Sequence, residues 1–273
     1  MSPASTPLLR LFRTRSRKPS VRRGFRAATS LSTARGVATA LGVAAVFGVA
    51  GVPNALAART PPPSPAAAAR LLERYRAAIA ALPKPPNMVF MYTEMRADPE
   101  RIVTSAHRVY RNEAGEQRND TVEVNGIPVR PPRTQTYQRA QWPYYADAFA
   151  VSSADYITSF TGVATIDGRR TQSYAVKRLT SAPFSITELD LDSASALPVR
   201  ERFAATTRDC DARGSIDFAP NGSYWLPTNV SVECSPSGGS SSAGYKNTIR
   251  FADYRFPVTI PADVLHPSGA SAP

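Results

Sequence analysis

The sequence predicts a mainly β protein: a strongly curled antiparallel sheet of about ten strands, a half-open barrel, with an N-terminal helix and a short inserted helix as its lid. Three observations carry this. From Val89 onward, short runs alternate apolar and polar residues. Val230, Val232 and Cys234 face one way, for example, while Asn229, Ser231 and Glu233 face the other. Each strand therefore has one dry and one wet face, as antiparallel sheets do. Turn-forming clusters such as Glu113-Ala114-Gly115-Glu116, Asp167-Gly168 and Ala219-Pro220-Asn221-Gly222 separate the runs. Only two helical segments accompany them, too few to cover a flat sheet of that width, so the sheet has to wrap and leave a cavity.

The N-terminal residues 1–57 form an export signal rather than a folded element. Nine basic residues between Arg10 and Arg35 precede an uncharged run, Gly36 to Ala58, and no acidic residue interrupts either part. The run closes on Ala55-Leu56-Ala57, so cleavage is expected between Ala57 and Ala58. Arg22-Arg23-Gly24-Phe25 matches the twin-arginine pattern in part, and both that route and general secretion stay open. The alternative to cleavage is an uncleaved membrane anchor, since the run exceeds the roughly 20 residues that span a bilayer. Removing the nine basic residues from the formal charge of +12 leaves +3 on residues 58–273. A nearly neutral exported domain is not a nucleic-acid binder, and its place is the periplasm or the extracytoplasmic face of the envelope.

Residues 58–66 are a proline-rich linker ending in a helix start, with Ser64 as N-cap and Pro65 at the first helical position. Leu71, Leu72, Tyr75, Ile79 and Leu82 then make one apolar stripe, and Pro83, Pro85 and Pro86 stop the helix. The strands expected next are Val89–Met95, Val103–Asn112 and Gln117–Val124. A long proline-rich loop follows over Asn125–Pro143, then a short helix over Tyr144–Val151 and a weak strand over Tyr156–Ile166. Further strands are expected at Ser173–Leu179, Phe184–Leu191, Val199–Thr207, Ser215–Phe218, Tyr224–Glu233 and Asn247–Phe256. Residues 259–273 read as a flexible tail. The two cysteines, Cys210 and Cys234, suit a disulfide in an oxidising compartment, with two buried thiols as the alternative.

Two stretches carry a family resemblance. His107-Arg108-Val109-Tyr110-Arg111, with Gly115 and Arg118, is a strand–turn–strand similar to the early hairpin of the LolA/LolB-like lipoprotein-carrier superfamily. That superfamily includes RseB-like regulators and mycobacterial lipid-carrier lipoproteins. Leu189-Asp190-Leu191-Asp192-Ser193-Ala194-Ser195-Ala196-Leu197-Pro198-Val199-Arg200-Glu201 resembles its strand, short turn and Leu-Pro entry into the next strand. The resemblance spans most of residues 67–258 and implies a half-barrel that holds acyl chains under a helical lid. The partners it implies are a lipid or lipidated protein, or a membrane-protein segment for an RseB-like sensor. No binding residue transfers by motif.

No chemistry-bearing motif stands out. His107 alternates with Val109 along a strand and reads as a plain strand histidine, and neither it nor His266 sits near a nucleophile turn. Asp190-x-Asp192 reads as a strand end and a turn, and two cysteines without a third thiol or a nearby histidine do not make a metal site. The expectation is a non-enzymatic protein without metal or cofactor. Its best ligand-binding candidates are Phe90, Tyr92 and Met95 on the first strand.

Overall fold

The computed structural model describes residues 63–139, 145–207, 210–237 and 244–268. The export signal, its cleavage site at Ala57 and Ala58, and the linker up to residue 62 lie outside the described residues. Helix α1 (Pro65–Ala80) begins where Ser64 accepts a hydrogen bond from the Ala67 amide at 3.3 Å. It buries Ala68, Leu71, Tyr75 and Ile79, a spacing of three to four residues that puts them on one face.

Eleven strands follow: β1 (Met88–Ala97), β2 (Ile102–Arg111), β3 (Gln117–Val124), β4 (Ile127–Tyr137), β5 (Tyr156–Ile166), β6 (Arg169–Arg178), β7 (Phe184–Asp192), β8 (Pro198–Thr206), β9 (Cys210–Asn221), β10 (Tyr224–Pro236) and β11 (Tyr245–Arg255). They form one sheet in the order β4-β3-β2-β1-β11-β10-β9-β8-β7-β6-β5. Every neighbouring pair is antiparallel. First and last strands pair at the centre, and hairpins run outward from them to β4 and β5, which do not pair with each other. The result is the curled half-barrel, open along one side.

Strand β4 corrects the loop expected over Asn125–Pro143. Asn125 and Gly126 both have positive φ, 52° and 78°, and turn β3 into β4 as a tight hairpin. Pro128, Pro131 and Pro132 lie within β4, where proline is tolerated because an edge strand pairs on one side only. Asp167 and Gly168, at 49° and 75°, make the same kind of turn between β5 and β6. The inserted helix shrinks to one 3-10 turn, Ala146–Phe149.

The register lines up one face of the sheet. Ser105, Glu94, Ile249, Val230, Ile216, Glu201, Leu189, Tyr174 and Phe160 are successive cross-strand partners from β2 to β5. This is the inner face, the one that the helical segments cover. The Tyr174 hydroxyl donates to the Ala68 carbonyl at 3.0 Å, and the Val151 amide donates to the Tyr75 hydroxyl at 2.9 Å. The Phe149 ring sits 6.2 Å from that of Phe184 and 6.5 Å from that of Phe218. Over β5 to β10 the inner face is thus packed core.

Cys210 and Cys234 are joined, with Cα atoms 5.7 Å apart, and the disulfide ties β9 to β10. A loop of this length contributes about 3 kcal/mol on the chain-entropy estimate. The flexible tail expected from residue 259 is corrected as far as residue 268. Helix α2 (Ala262–Leu265) buries Leu265, and Arg118 Nη1 donates to the Val264 carbonyl at 2.7 Å. An apolar side chain with a buried place to go outweighs the local Ser/Pro composition.

Candidate ligand-binding face

Alternation along β1 puts Met88, Phe90, Tyr92, Glu94 and Arg96 on the inner face, and its neighbours extend the face to β2, β3 and β11. Phe90 is fully buried, its ring 6.0 Å from that of Phe251 and 5.3 Å from that of Tyr254. Tyr92 is half-buried, 6.1 Å from Phe251. A backbone bulge opposite Phe90, with Asp253 at φ 55°, resets the parity of β11, so Tyr254 joins Phe251 on the inner side. Phe256 and Tyr224, 4.5 Å apart, continue the aromatic run. Of the three candidates from the sequence, the structure brings Phe90 and Tyr92 together. Met95 has the opposite parity and lies on the outer face, 44% exposed.

Past Tyr92 the inner face turns polar. The His107 ring stacks on Tyr92 at 4.4 Å and 9°. Its Nε2 lies 2.8 Å from Ser105 Oγ, and its Nδ1 lies 3.2 Å from Asn119 Oδ1 and 3.3 Å from Thr121 Oγ1. Asn119 Nδ2 donates to the Tyr92 hydroxyl at 2.9 Å, which leaves its carbonyl to accept from His107 Nδ1–H. Burial holds His107 below the ordinary histidine value, while the Glu94 carboxylate and the bond to Asn119 pull it partly back. A serine, a histidine and an asparagine in this order have the connectivity of a nucleophile, base and orienting group. Acyl transfer also needs unengaged N–H donors beside the hydroxyl. At Ser105, however, β2 is paired to Glu94 on one side and Val124 on the other, so its backbone is committed to the sheet. The hydrogen bonds order the ring of His107.

Further along, Asn247 Nδ2 donates to Glu94 Oε1 at 2.8 Å, and the Arg96 guanidinium carbon sits 3.9 Å over the Tyr245 ring. None of Glu94, Arg96, Tyr245 and Asn247 was a candidate on sequence grounds. The available clue is parity, because Tyr92-x-Glu94-x-Arg96 puts charge where the same face of β1 begins with Met88 and Phe90. Among the described residues no group of three His, Cys, Asp or Glu side chains could hold a metal ion, and no helix is long and apolar enough to cross a membrane.

No family model matches the sequence, and no curated protein matches it. Solved structures do. A LolA superfamily protein from Nitrosomonas europaea shares 11% identity over 72% of this chain and 96% of its own, with a TM-score of 0.39. A putative outer membrane lipoprotein-sorting protein domain from Vibrio parahaemolyticus shares 11% over 73% and 97%, at 0.41. The MucA/MucB complex of Pseudomonas aeruginosa shares 15% over 70% and 99%, at 0.25. These likenesses stand at a level that fixes neither ligand nor partner.

Proposed function

We propose that this is an exported, non-enzymatic envelope protein that binds a lipid or a lipidated partner against the inner face of its half-barrel. The observation that supports this best is the run of half-buried aromatic rings, Tyr92, Phe251, Tyr254 and Phe256, on the inner side of an open sheet. Phe90 anchors the run from beneath. Sites for apolar ligands are concave and mainly apolar with few polar groups. Each buried methylene of an acyl chain contributes about 0.8 kcal/mol. We assign Tyr92 as a contact, with the buried Phe90 supporting it from beneath, and leave Met95, on the outer face, out of the site. Delipidated protein titrated with a fluorescent fatty acid should saturate near one per chain. Tyr92→Ala should weaken uptake about tenfold, the loss of one aromatic contact. Unsaturable or absent uptake would count against the reading.

A second reading keeps the fold and changes the ligand: a sensor or interaction module that takes the exported segment of a membrane protein. The polar part of the inner face favours it, since Glu94, Arg96 and Ser105 offer hydrogen bonds that a peptide could use. Recovery of such a partner by crosslinking, from protein that takes up no fatty acid, would decide for it.

A further inference from the structure

Two buried polar atoms at the polar end of the inner face have nothing to bond among the described residues. Asn247 is 5% exposed and Tyr245 9%, yet none of those residues gives Asn247 Oδ1 or the Tyr245 hydroxyl a hydrogen-bond partner. The asparagine cannot be turned to remove the problem. Its other amide atom faces Glu94 Oε1 at 2.8 Å, and a carboxylate only accepts, so that atom is the nitrogen and the orphan is the carbonyl. Buried groups left in this condition are uncommon and costly, and a missing ligand is one explanation for them. The two sit beside opposite charges. Asn247 pairs across the strands with Arg96, whose guanidinium covers the Tyr245 ring, while the carboxylate of Glu94 lies two residues along β1.

Glu94 and Arg96 project from the same face of one strand, about 7 Å apart along it. Neither forms an ion pair with the other; Glu94 is bonded to an amide and Arg96 to a π face. This leaves an acceptor pair, the Glu94 carboxylate with Asn247 Oδ1, next to a donor pair, Arg96 with the Tyr245 hydroxyl. An ammonium fits the first and a phosphate the second, and a two-carbon bridge between them has a suitable length. A purely anionic head would use only half the site and would face Glu94.

We infer that Glu94, Arg96, Tyr245 and Asn247 form a head-group site for a zwitterionic phospholipid, an ammonium and a phosphate joined by a short bridge. The inference rests on the lipid reading above and adds the class of head. It places the head at the polar end of β1 and β11 and the acyl chains toward Tyr92, Phe251 and Tyr254, along the same strands.

The test uses water-soluble dihexanoyl lipids with identical chains and different heads, titrated calorimetrically into the full chain. The ethanolamine lipid should bind about tenfold more tightly than the glycerol lipid, the scale of one charge-assisted hydrogen bond. Glu94→Gln, which keeps an acceptor for Asn247, should abolish that preference and leave glycerol-lipid binding in place. Tyr245→Phe removes one orphaned hydroxyl, so it should raise the melting temperature while weakening both lipids. A hydroxyl with a merely structural role would not separate those two readouts. Equal binding of both lipids by the wild type would overturn the head-group site and leave the apolar reading standing. Free phosphoethanolamine binding as tightly as its lipid would overturn the assignment to lipid. Failure of both lipids and of fatty acid uptake would remove the parent reading as well.

Discussion

Replacing Glu201 with leucine should make this protein more stable, by about 2 kcal/mol at neutral pH, the scale of one buried polar group without a partner. Glu201 lies on the inner face between Leu189 and Ile216, fully buried, and among the described residues neither carboxylate oxygen has a hydrogen-bond partner. Burial alone drives its pKa well above that of an ordinary glutamate. The folded chain therefore holds this proton, whereas the unfolded chain releases it near about pH 4.3. Stability from this group is complete below that value and falls by about 1.4 kcal/mol per pH unit above it, until the folded-state pKa is passed. His107 acts in the opposite sense. Its pKa is lowered in the fold, so its contribution is complete above about 6.5 and is lost as the pH falls through the lowered value. Where the two ranges overlap the two slopes oppose each other, and above about 6.5 His107 no longer contributes one. Urea unfolding from pH 6.5 upward should accordingly show a declining midpoint for the wild type and a flatter one for Glu201→Leu. A variant less stable than wild type, or one with an unchanged slope, would mean that the carboxyl has a partner after all.

Gly214→Ala should be the most damaging single-methyl change in the sheet. A Cβ there would stand 2.3 Å from the Ser231 carbonyl oxygen and 2.6 Å from the Phe203 ring. Phe203 and Val232 are the cross-strand partners of Gly214, and the phenylalanine ring fills the space its missing side chain leaves. The ring could rotate; the Ser231 carbonyl belongs to β10 and cannot withdraw without separating β9 from β10. A loss above about 3 kcal/mol is expected, beyond the usual range for point changes. Adding Phe203→Leu to the alanine variant should recover only the part due to the ring. Unfolding of the alanine variant at the wild-type urea concentration would show that the strands have slack at this point.

Local pattern made most of this fold legible. Alternation marked ten of the eleven strands, and the curl followed from too little helix for so much apolar sheet. The missing strand, β4, shows where local reasoning stops. Asn125-Gly126 is a hairpin signal, yet Pro128, Pro131 and Pro132 argue against a strand unless that strand lies at an edge, and edge position is a property of the whole sheet. The same limit applies to the inner face. Phe90 and Tyr92 share a side by parity, and parity also removes Met95. The bond between Glu94 and Asn247, 153 residues apart, exists because the last strand returns to pair with the first. His107 likewise reads as an ordinary strand residue until β3 brings Asn119 and Thr121 to its Nδ1.

That the inner face takes a hydrocarbon is the claim on which the rest stands. Native mass spectrometry of the protein purified without detergent tests it most directly. The expected spectrum shows the chain with one added lipid mass, and that mass is depleted in the Tyr92→Ala protein. A wild-type spectrum of bare chain alone, from protein that also fails to take up added fatty acid, would contradict the claim.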